Sequence, residues 1–476
     1  MSGKLTRRFD QIAAAAAPDG SRMTLGRAVV LGGGIAGLIA ARVLSDHARE
    51  VLVLERDDLE ADLESGGESE IVRPGVPQAT QLHVLLDGGR VQLDRWFPGF
   101  ADELIAAGAV RSAGPAIEMY IDGERKVAVP DDELISSSRM LLESRLRQRV
   151  LGLENVDYVR GRAQNLVFNA DRVSGVWYVP IEAESEPAAP SPTLGADLVV
   201  DAMGRSSRLG EWLERAGWPR PDMRRIGIDL NYATASFRRD AEPETSATTL
   251  QVLRLPGEDQ RASVSVLSAV EGERWMMLLS GFADDRPTRD PEDYLRRSRE
   301  GLPPLFGEVA ERCDMIGPIV TYRQSDSRRR DFHRLRRFPA GLVAVGDAVA
   351  SFNPVYGQGM SSAALHGSCL SAYLRESGGP AKPARDYFDR VRVVIDAAWQ
   401  TSTLNDLALP HVTGPYPPGY AIAHRISDLI LRASATDLGI NRRFTAVTHM
   451  RAHPRTLTGP TTILRAARAV RGRRRP

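Results

Sequence analysis

The sequence predicts an α/β protein in which a dinucleotide-binding domain is combined with a β-sheet domain and a helical C-terminal region. The first observation is a glycine-rich turn at residues 32–37 that separates a short apolar run from an apolar helical pattern. The second is a set of short alternating apolar runs within residues 221–334, and the third is a mostly helical pattern from residue 380 onward. Because 476 residues are too many for one compact core, we expect several lobes.

The composition excludes several classes of protein. The 62 basic and 61 acidic residues nearly cancel, which gives no electrostatic reason to expect nucleic acid as a partner. Cys313 and Cys369 are far apart and outside any CxxC spacing, so neither a metal site nor a disulfide framework is expected, and a cytoplasmic location fits. No apolar run is long enough to predict a membrane-spanning helix. The only lysines are Lys4, Lys126 and Lys382, a bias that indicates a GC-rich genome of the kind found in actinobacteria.

Residues 6–17 resemble a twin-arginine export signal only faintly. Asp10 interrupts the pattern, and the apolar part is a short alanine run. We therefore expect a disordered leader in this segment rather than an export signal.

The glycine-rich turn carries the first chemical information. Residues 27–31 predict a buried strand that passes directly into the turn, and a helix follows. Gly32 permits the turn, Gly34 lets the backbone approach a pyrophosphate, and Gly37 lets the helix pack against the strand. The next strand ends at Glu55, whose carboxylate is placed to accept hydrogen bonds from ribose hydroxyls. The cofactor-binding residues that this motif predicts are Gly32, Gly34, Ile35, Ala36, Gly37, Glu55 and Arg56.

A second segment separates FAD from NAD, which the turn alone does not. Residues 341–345 predict a buried strand, and the segment 346–361 resembles the second FAD signature of the group A flavin monooxygenases. The resemblance implies that Asp347 binds the ribityl chain, that Gly346 lets this chain pass close to the backbone, and that Pro354 lies beside the isoalloxazine. Independently, an apolar helical stretch begins here, and its N-terminus suits an anionic reduced flavin. The residues predicted from this segment are Gly346, Asp347, Pro354, Gly357, Gln358, Gly359 and Met360.

Three further segments resemble parts of related proteins. Residues 196–208 resemble the middle signature of the same family, except that Met203 stands where an aspartate is usual. Residues 73–86 and 138–146 resemble the FAD-contacting arginine loop and helix of bacterial epoxidases of the lasalocid and monensin type, which oxidise polyene precursors of polyether antibiotics. The contacts that this resemblance implies are Arg73, Gln78, His83 and Arg139. His83 fits a structural histidine equally well, and Arg139 fits a solvated surface charge equally well.

The resemblance covers residues 26–374 and implies an α/β fold with a para-hydroxybenzoate-hydroxylase-like FAD domain of the Rossmann type. The predicted parts are an FAD-binding domain at 25–115, 116–220 and 335–379, with a surface excursion at 182–192, a β-sheet substrate domain at 221–334, and a helical region with a basic tail at 380–476. The runs 226–237, 263–267 and 275–279 are expected to form a sheet that covers the flavin with mostly apolar side chains. Tyr232 is the titrating side chain of that roof.

The resemblance implies FAD as cofactor and a reduced flavin that reacts with O2 at C4a and transfers one oxygen atom to an organic substrate. Because one dinucleotide fingerprint is found, electrons must come from NADPH or NADH bound transiently, or through a separate flavin reductase. The site must exclude water and orient an apolar small molecule, either free or bound to a carrier protein, so neither a catalytic residue nor a metal ligand is predicted. Epoxidation of alkenes in a polyene or polyketide precursor is the leading interpretation.

Four other functions stay open. Aromatic hydroxylation follows closely, since the flavin lobe is common to both reactions. Halogenation needs a lysine near the site, for which Lys126 is the candidate, and the WxWxxP pattern of indole halogenases is absent. An oxygen-independent flavin dehydrogenase or reductase and a non-catalytic FAD-binding sensor complete the set.

Overall fold

In a computed structural model, the structure describes residues 2–18, 20, 23–59, 73–181, 192–239, 245–257, 261–376 and 379–473. The strands are β1 Leu25–Leu31, β2 Ala48–Glu55, β3 Leu82–Leu85, β4 Val110–Ala113, β5 Ile117–Ile121, β6 Glu124–Arg125, β7 Glu133–Ser138, β8 Val156–Asn169, β9 Arg172–Pro180, β10 Thr193–Gly195, β11 Leu198–Asp201, β12 Met223–Arg238, β13 Thr249–Arg254, β14 Ser263–Val270, β15 Arg274–Phe282, β16 Met315–Arg330, β17 Leu342–Ala344 and β18 Ala350–Ser351. The α-helices are α1 Ser2–Ile12, α2 Ile35–Ser45, α3 Asp87–Trp96, α4 Phe100–Ala106, α5 Arg139–Leu151, α6 Leu209–Arg215, α7 Pro291–Arg299, α8 Pro304–Arg312, α9 Gln358–Arg375, α10 Arg385–Asp406, α11 Tyr420–Ser434, α12 Leu438–Thr448 and α13 Pro460–Arg473.

The first sheet has seven strands in the order β10-β9-β8-β2-β1-β11-β17. From β8 to β17 neighbouring strands are parallel, and β9 and β10 continue the sheet antiparallel. The central strands are continuous apolar runs because helices cover them. Parallel strands place their carboxyl ends at one edge, so Leu31, Asp201 and Ala344 end side by side there. Ligands of such sheets bind beyond that edge.

The second sheet has eight strands in the order β18-β16-β12-β15-β14-β13-β5-β6. The predicted runs 226–237, 263–267 and 275–279 lie in β12, β14 and β15, which confirms the sheet. Side chains alternate between its faces. Phe237, Trp275 and Met277 are buried against α7 and α8, which leaves the other face for the first sheet's edge.

One predicted boundary differs from the structure. The interval 116–220 was assigned to the nucleotide-binding part, but β5 and β6, at its start, belong to the eight-stranded sheet. Ile117 to Ile121 of β5 pair in parallel with Thr249 to Leu253 of β13. A short strand can be recognised from its own residues, but a pairing partner more than 100 residues away cannot be. The sequence therefore predicts that this part of the nucleotide-binding domain starts before β5, whereas the strands of the first sheet resume only after β6.

The expectation of a disordered leader in residues 6–17 is wrong, because residues 2–12 form α1. Phe9 is fully buried and meets the edge of His453 at a ring distance of 5.8 Å. Leu5, Phe9 and Ile12 recur at helical spacing and form the apolar face that packs on the core. The alanines that follow α1 obscured this short pattern in the sequence.

The helical C-terminal region is found as α10 to α13. Within the described residues, no helix is long and apolar enough to cross a membrane. Most of the predicted excursion 182–192 and the last three residues of the basic tail lie outside the described residues.

Candidate active site

A cavity of about 1020 Å³ lies between the carboxyl edge of the first sheet and the inner face of the second. All predicted cofactor-binding residues except Gly37 and Gln358 line it. Three segments distant in the chain, around residues 32–36, 73–83 and 346–360, therefore meet at one place. The volume is at the upper end of the range usual for ligand and cofactor sites.

In the glycine turn, a side chain would have room at Gly34 but not at Gly32 or Gly37. A Cβ on Gly37 would lie 1.9 Å from the carbonyl oxygen of Gly32, and a Cβ on Gly32, at φ +106°, would lie 2.6 Å from that of Ala202. A Cβ on Gly34 would meet no protein atom within 4 Å. Gly37 therefore brings α2 close to β1 and lies behind the cavity, while Gly34 opens into it beside the free amides of the α2 N-terminus.

Arg73 lies in the centre of a buried cluster of charges. Its guanidinium contacts Glu55 at 3.0 Å and Asp57 at 3.3 Å, bonds Glu143, and donates to the carbonyl of Gly33 at 3.1 Å. The carboxylate of Glu55 also accepts the amide of Gly33 at 2.7 Å. The cluster therefore fixes both the glycine turn and the acid that the sequence assigns to the ribose.

His83 and Arg139 lie together at the cavity wall, and Arg139 is largely buried rather than solvated. His83 Nδ1 donates to the carbonyl of Gln81 at 2.8 Å, so Nε2 faces Arg139 at 3.4 Å as an acceptor. Burial and the adjacent Arg139 lower the pKa of His83 to about 3. The imidazole is thus neutral near pH 7 and cannot serve as a base that titrates there. Burial raises the pKa of Glu143, but Arg139 and its neighbours outweigh this and hold it below the usual value.

Gly346 and Asp347 follow β17 at the sheet edge. Gly346 has φ +57°, and a Cβ there would lie 2.6 Å from the Cβ of Ala36. Its amide donates to His366 Nδ1 at 2.9 Å, a partner on α9 that sequence reasoning missed. Burial lowers the pKa of His366 to about 3. Burial also raises the pKa of Asp347, although the nearby charge of Arg205 acts to lower it. A buried polar residue in an apolar helix was the only signal for His366.

The loop that contains Pro354 is held from behind by the C-terminus of α10. Asn353 Nδ2 and the Tyr356 hydroxyl donate to Asp406 Oδ1 at 2.8 and 3.1 Å. Burial raises the pKa of Asp406 to about 7. Gly357, in the left-handed conformation, then begins α9, whose N-terminus opens into the cavity at Gly359 and Met360. Gln358, by contrast, points away from the cavity and donates to the carbonyl of Thr448.

The middle signature connects the two sheets. Met203 and Arg205 line the cavity, and Arg205 donates to Asp326 on β16 at 2.6 Å and to Ser351 at 2.7 Å. Met203 is therefore adjacent to the site although it lacks the carboxylate usual at its position.

The roof of the cavity is more polar than the sequence suggested. Tyr232 and Leu278 are its only described contributions from the runs 226–237 and 275–279, because Trp275 and its alternate neighbours face the opposite side. Tyr322 of β16 adds a second phenol, 5.6 Å from that of Tyr232. Burial raises the pKa of both tyrosines. Further roof residues are Gln251, Val264, Val266 and Gln324.

Lys126, the candidate for a halogenase lysine, is packed elsewhere. Its ammonium lies 4.5 Å from the centre of the Phe444 ring and 3.2 Å from the sulfur of Met119. No lysine occurs among the described residues that line the cavity.

Comparisons with known proteins agree with this geometry. The sequence model of the family "FAD dependent oxidoreductase" matches residues 27–199. Protein Rv3254 of Mycobacterium tuberculosis is 32% identical over 421 residues, which cover 86% of each chain. Kynurenine 3-monooxygenase of Salinispora arenicola is 25% identical and covers 86% of this chain and 93% of its own. The structure of the flavin-dependent brominase Bmp2 matches 94% of this chain and 98% of its own with a TM-score of 0.62 and 14% identity, which shows a shared fold.

The Rossmann-type sheet with its glycine turn, the second sheet over its carboxyl edge and the extent of the match to Protein Rv3254 lead to one assignment. The chain belongs to the family of Protein Rv3254, and its residues 27–199 match an FAD-dependent oxidoreductase domain.

Proposed function

We propose that the protein binds FAD along the carboxyl edge of the seven-stranded sheet and transfers one oxygen atom from O2 to an alkene of an apolar polyene or polyketide precursor. The observation that carries the choice of an alkene is the lack of a near-neutral base among the described groups of the roof. His83 has a pKa of about 3, and burial raises the pKa of the roof tyrosines. Phenol hydroxylation gains rate from deprotonation of the substrate, whereas an alkene has no proton to remove.

The residues present fit FAD. The open space at Gly34 and the amides at the start of α2 suit a pyrophosphate, and Asp347 with the close-packed Gly346 suits a ribityl chain. The N-terminus of α9 points its partial positive charge into the cavity, where an anionic ring would lie. FAD supplies the redox chemistry and the activation of oxygen when it is bound and reduced.

The chain's own residues bind, orient and exclude water. Leu278 and the valines of β14 offer an apolar surface for the substrate, while Gln251 and Gln324 can orient a polar group on it. Asp406 fixes the Pro354 loop, and the Arg205–Asp326 contact keeps the roof at a fixed distance from the carboxyl edge. These are positioning roles, and no described side chain of the roof is placed to act as a base.

The supply of electrons and substrate is part of the proposal. We assign the reductant to NADPH or NADH, bound transiently or acting through a separate flavin reductase, and the location to the cytoplasm. The substrate is a small apolar molecule that is either free or held by a carrier protein.

The decisive experiment is mass spectrometry of the product formed from a polyene substrate under 18O2 gas. One labelled oxygen in an epoxide is the expected result. Unlabelled product would contradict monooxygenation, and a polyene that is not oxygenated at all would favour the second candidate.

That second candidate is aromatic hydroxylation, which the 25% identity to kynurenine 3-monooxygenase favours. An electron-rich arene that needs no deprotonation would suit the same cavity. Parallel assays with an aniline-type arene and a polyene of similar size separate the two, because each should be labelled only if it is oxygenated. Halogenation is disfavoured, since Lys126 lies outside the described lining.

A further inference from the structure

A second cavity, of about 660 Å³, lies between α1 and the C-terminal half of α9. It shares no described lining residue with the first cavity. Ala363 of α9 lines the first cavity and Ser371 lines the second, and eight residues of helix separate them by about 12 Å. The second cavity is therefore a separate site on the same helix.

The described lining of this cavity is strongly basic and contains no aspartate or glutamate. Its cations are Lys4, Arg7, Arg8, Arg95, Arg375 and Arg390. In the part of the chain that the structure describes, Glu376 pairs with Arg390, and no carboxylate lies within ion-pair distance of Lys4, Arg7, Arg8 or Arg95. Like charges on one cavity wall repel one another, as Arg375 and Arg95 do, unless an anion lies among them.

The N-terminal helix presents these charges at a cost to its own stability. Lys4 and Arg8 are four residues apart on one face, a spacing at which like charges destabilise a helix, and the first turn has no acid. Phe9, on the side of the helix away from Lys4, is buried in the core, and Ile12 is buried at the edge of the cavity. The packing of Phe9 fixes the orientation of α1, which keeps the cations of this helix beside the cavity.

Buried hydrogen-bonding groups complete the wall. Ser371, 2% exposed, accepts from Arg375 Nε at 3.3 Å, and Ser368, 4% exposed, donates to Gln92. Arg95 donates one guanidinium nitrogen to the carbonyls of Ile12 and Ala14, but its Nε is buried without a partner. Burial and the charge of Arg375 lower the pKa of Arg95. A buried donor without a partner, set among cations, is what an absent anion would satisfy.

We propose that the second cavity binds a small phosphate-bearing molecule, distinct from FAD, that holds α1 against α9. Guanidinium groups present paired donors that match phosphate oxygens, and the hydroxyl of Ser371, which accepts from Arg375, can add a further donor. The volume is within the range of small-molecule sites and admits a ligand with two or more phosphates. The arginines that repel one another when no anion is bound are the groups that bind this ligand.

The test is isothermal titration calorimetry of the full-length, FAD-loaded protein with inorganic pyrophosphate at constant ionic strength. FAD occupies the pyrophosphate site of the first cavity, so binding there is blocked. One equivalent should bind, and Arg8→Gln and Arg375→Gln should each weaken binding about tenfold, the effect of losing one charge-assisted hydrogen bond. Arg425→Gln, on the exposed surface of α11, should leave the dissociation constant unchanged.

Four outcomes would overturn the proposal. They are no binding of pyrophosphate to the wild type, full binding in both cavity variants, equal weakening in Arg425→Gln, or citrate binding as tightly as pyrophosphate. The flavin absorbance and thermal unfolding of each variant show whether it is folded. Because none of these residues lines the first cavity, FAD content should not change, and failure here would leave the proposed oxygenation unaffected.

Discussion

The cofactor half and the substrate half of the first cavity are built in different ways. The cofactor half consists of strand ends, glycines and helix N-termini, where the backbone makes the surface and only a few side chains, such as Asp347, matter. The substrate half consists of single side chains from five strands, of which Tyr232 and Tyr322 come from the neighbouring strands β12 and β16. A backbone surface tolerates few substitutions, whereas a side-chain surface can change its shape one residue at a time. Under the proposed function, the first half would therefore fix the cofactor and the second half would select the substrate.

The largest effect should come from Gly34→Val, because its side chain would occupy the open space that suits the pyrophosphate. We expect colourless protein, measured as the loss of flavin absorbance after purification. Gly195→Val is the control, since Gly195 lies exposed on the edge strand β10 and a strand favours valine. Yellow Gly34→Val protein that releases FAD on heating would contradict the placement of the pyrophosphate.

A smaller loss should follow Asp347→Ala. Removing a hydrogen-bonded carboxylate from the ribityl position should weaken FAD binding by about 1 to 3 kcal/mol without unfolding the chain. Fluorescence titration of the apoprotein with FAD measures this. Asp157→Ala, on an exposed part of β8, should bind as wild type does, and unaltered affinity in Asp347→Ala would move the ribityl site elsewhere.

The contrast between the halves also explains what the sequence could and could not predict. Gly34 and Gly346 were identified because strand, turn and helix are contiguous, and each glycine has a local reason to be there. His366, Asp406 and Tyr322 were missed because their roles depend on partners 20 or more residues away, for which one sequence gives no signal. The second sheet was predicted from periodicity and the first from the glycine motif and the family resemblance. The pairing of β5 with β13 was not predicted, since it depends on tertiary contact.

Asp406 holds the Pro354 loop in place, and its titration should make the free energy of unfolding depend on pH. Its pKa is raised from 3.8 to about 7, so the folded state keeps a proton that the unfolded state releases. Its contribution to the free energy of unfolding should therefore fall as pH rises from about 4 to about 7, by at most ~1.4 kcal/mol per pH unit, and stay constant above that. Asp406→Asn keeps the acceptor for Asn353 but cannot titrate, so this part of the slope should disappear.

Urea unfolding of both proteins between pH 4.5 and 8 measures the difference. Asp428→Asn, a carboxylate that pairs with Arg432 on the surface of α11, should keep the wild-type slope. Equal slopes in wild type and Asp406→Asn would mean that Asp406 is ionised throughout.

The smallest effect is expected in the substrate half. In the Asp406→Asn background, oxygen transfer should change less than about twofold between pH 6.5 and 8.5, because His83 is neutral there and the roof phenols keep their protons. Single-turnover stopped flow, with reduced enzyme and substrate mixed with oxygenated buffer, gives the rate of product formation. A tenfold rise per pH unit would indicate a base in the roof and would place aromatic hydroxylation first.

The pairing of β5 with β13 has a consequence for how the protein is made. During translation β5 emerges well before its partner β13. The seven-stranded sheet is incomplete until β17 is made, and β17 follows every other strand of both sheets except β18. Neither sheet is complete until roughly three quarters of the chain has left the ribosome, and unpaired strand edges stay exposed in the meantime. We therefore expect slow folding, a high demand for chaperones and aggregation of C-terminal truncations that end before Leu342.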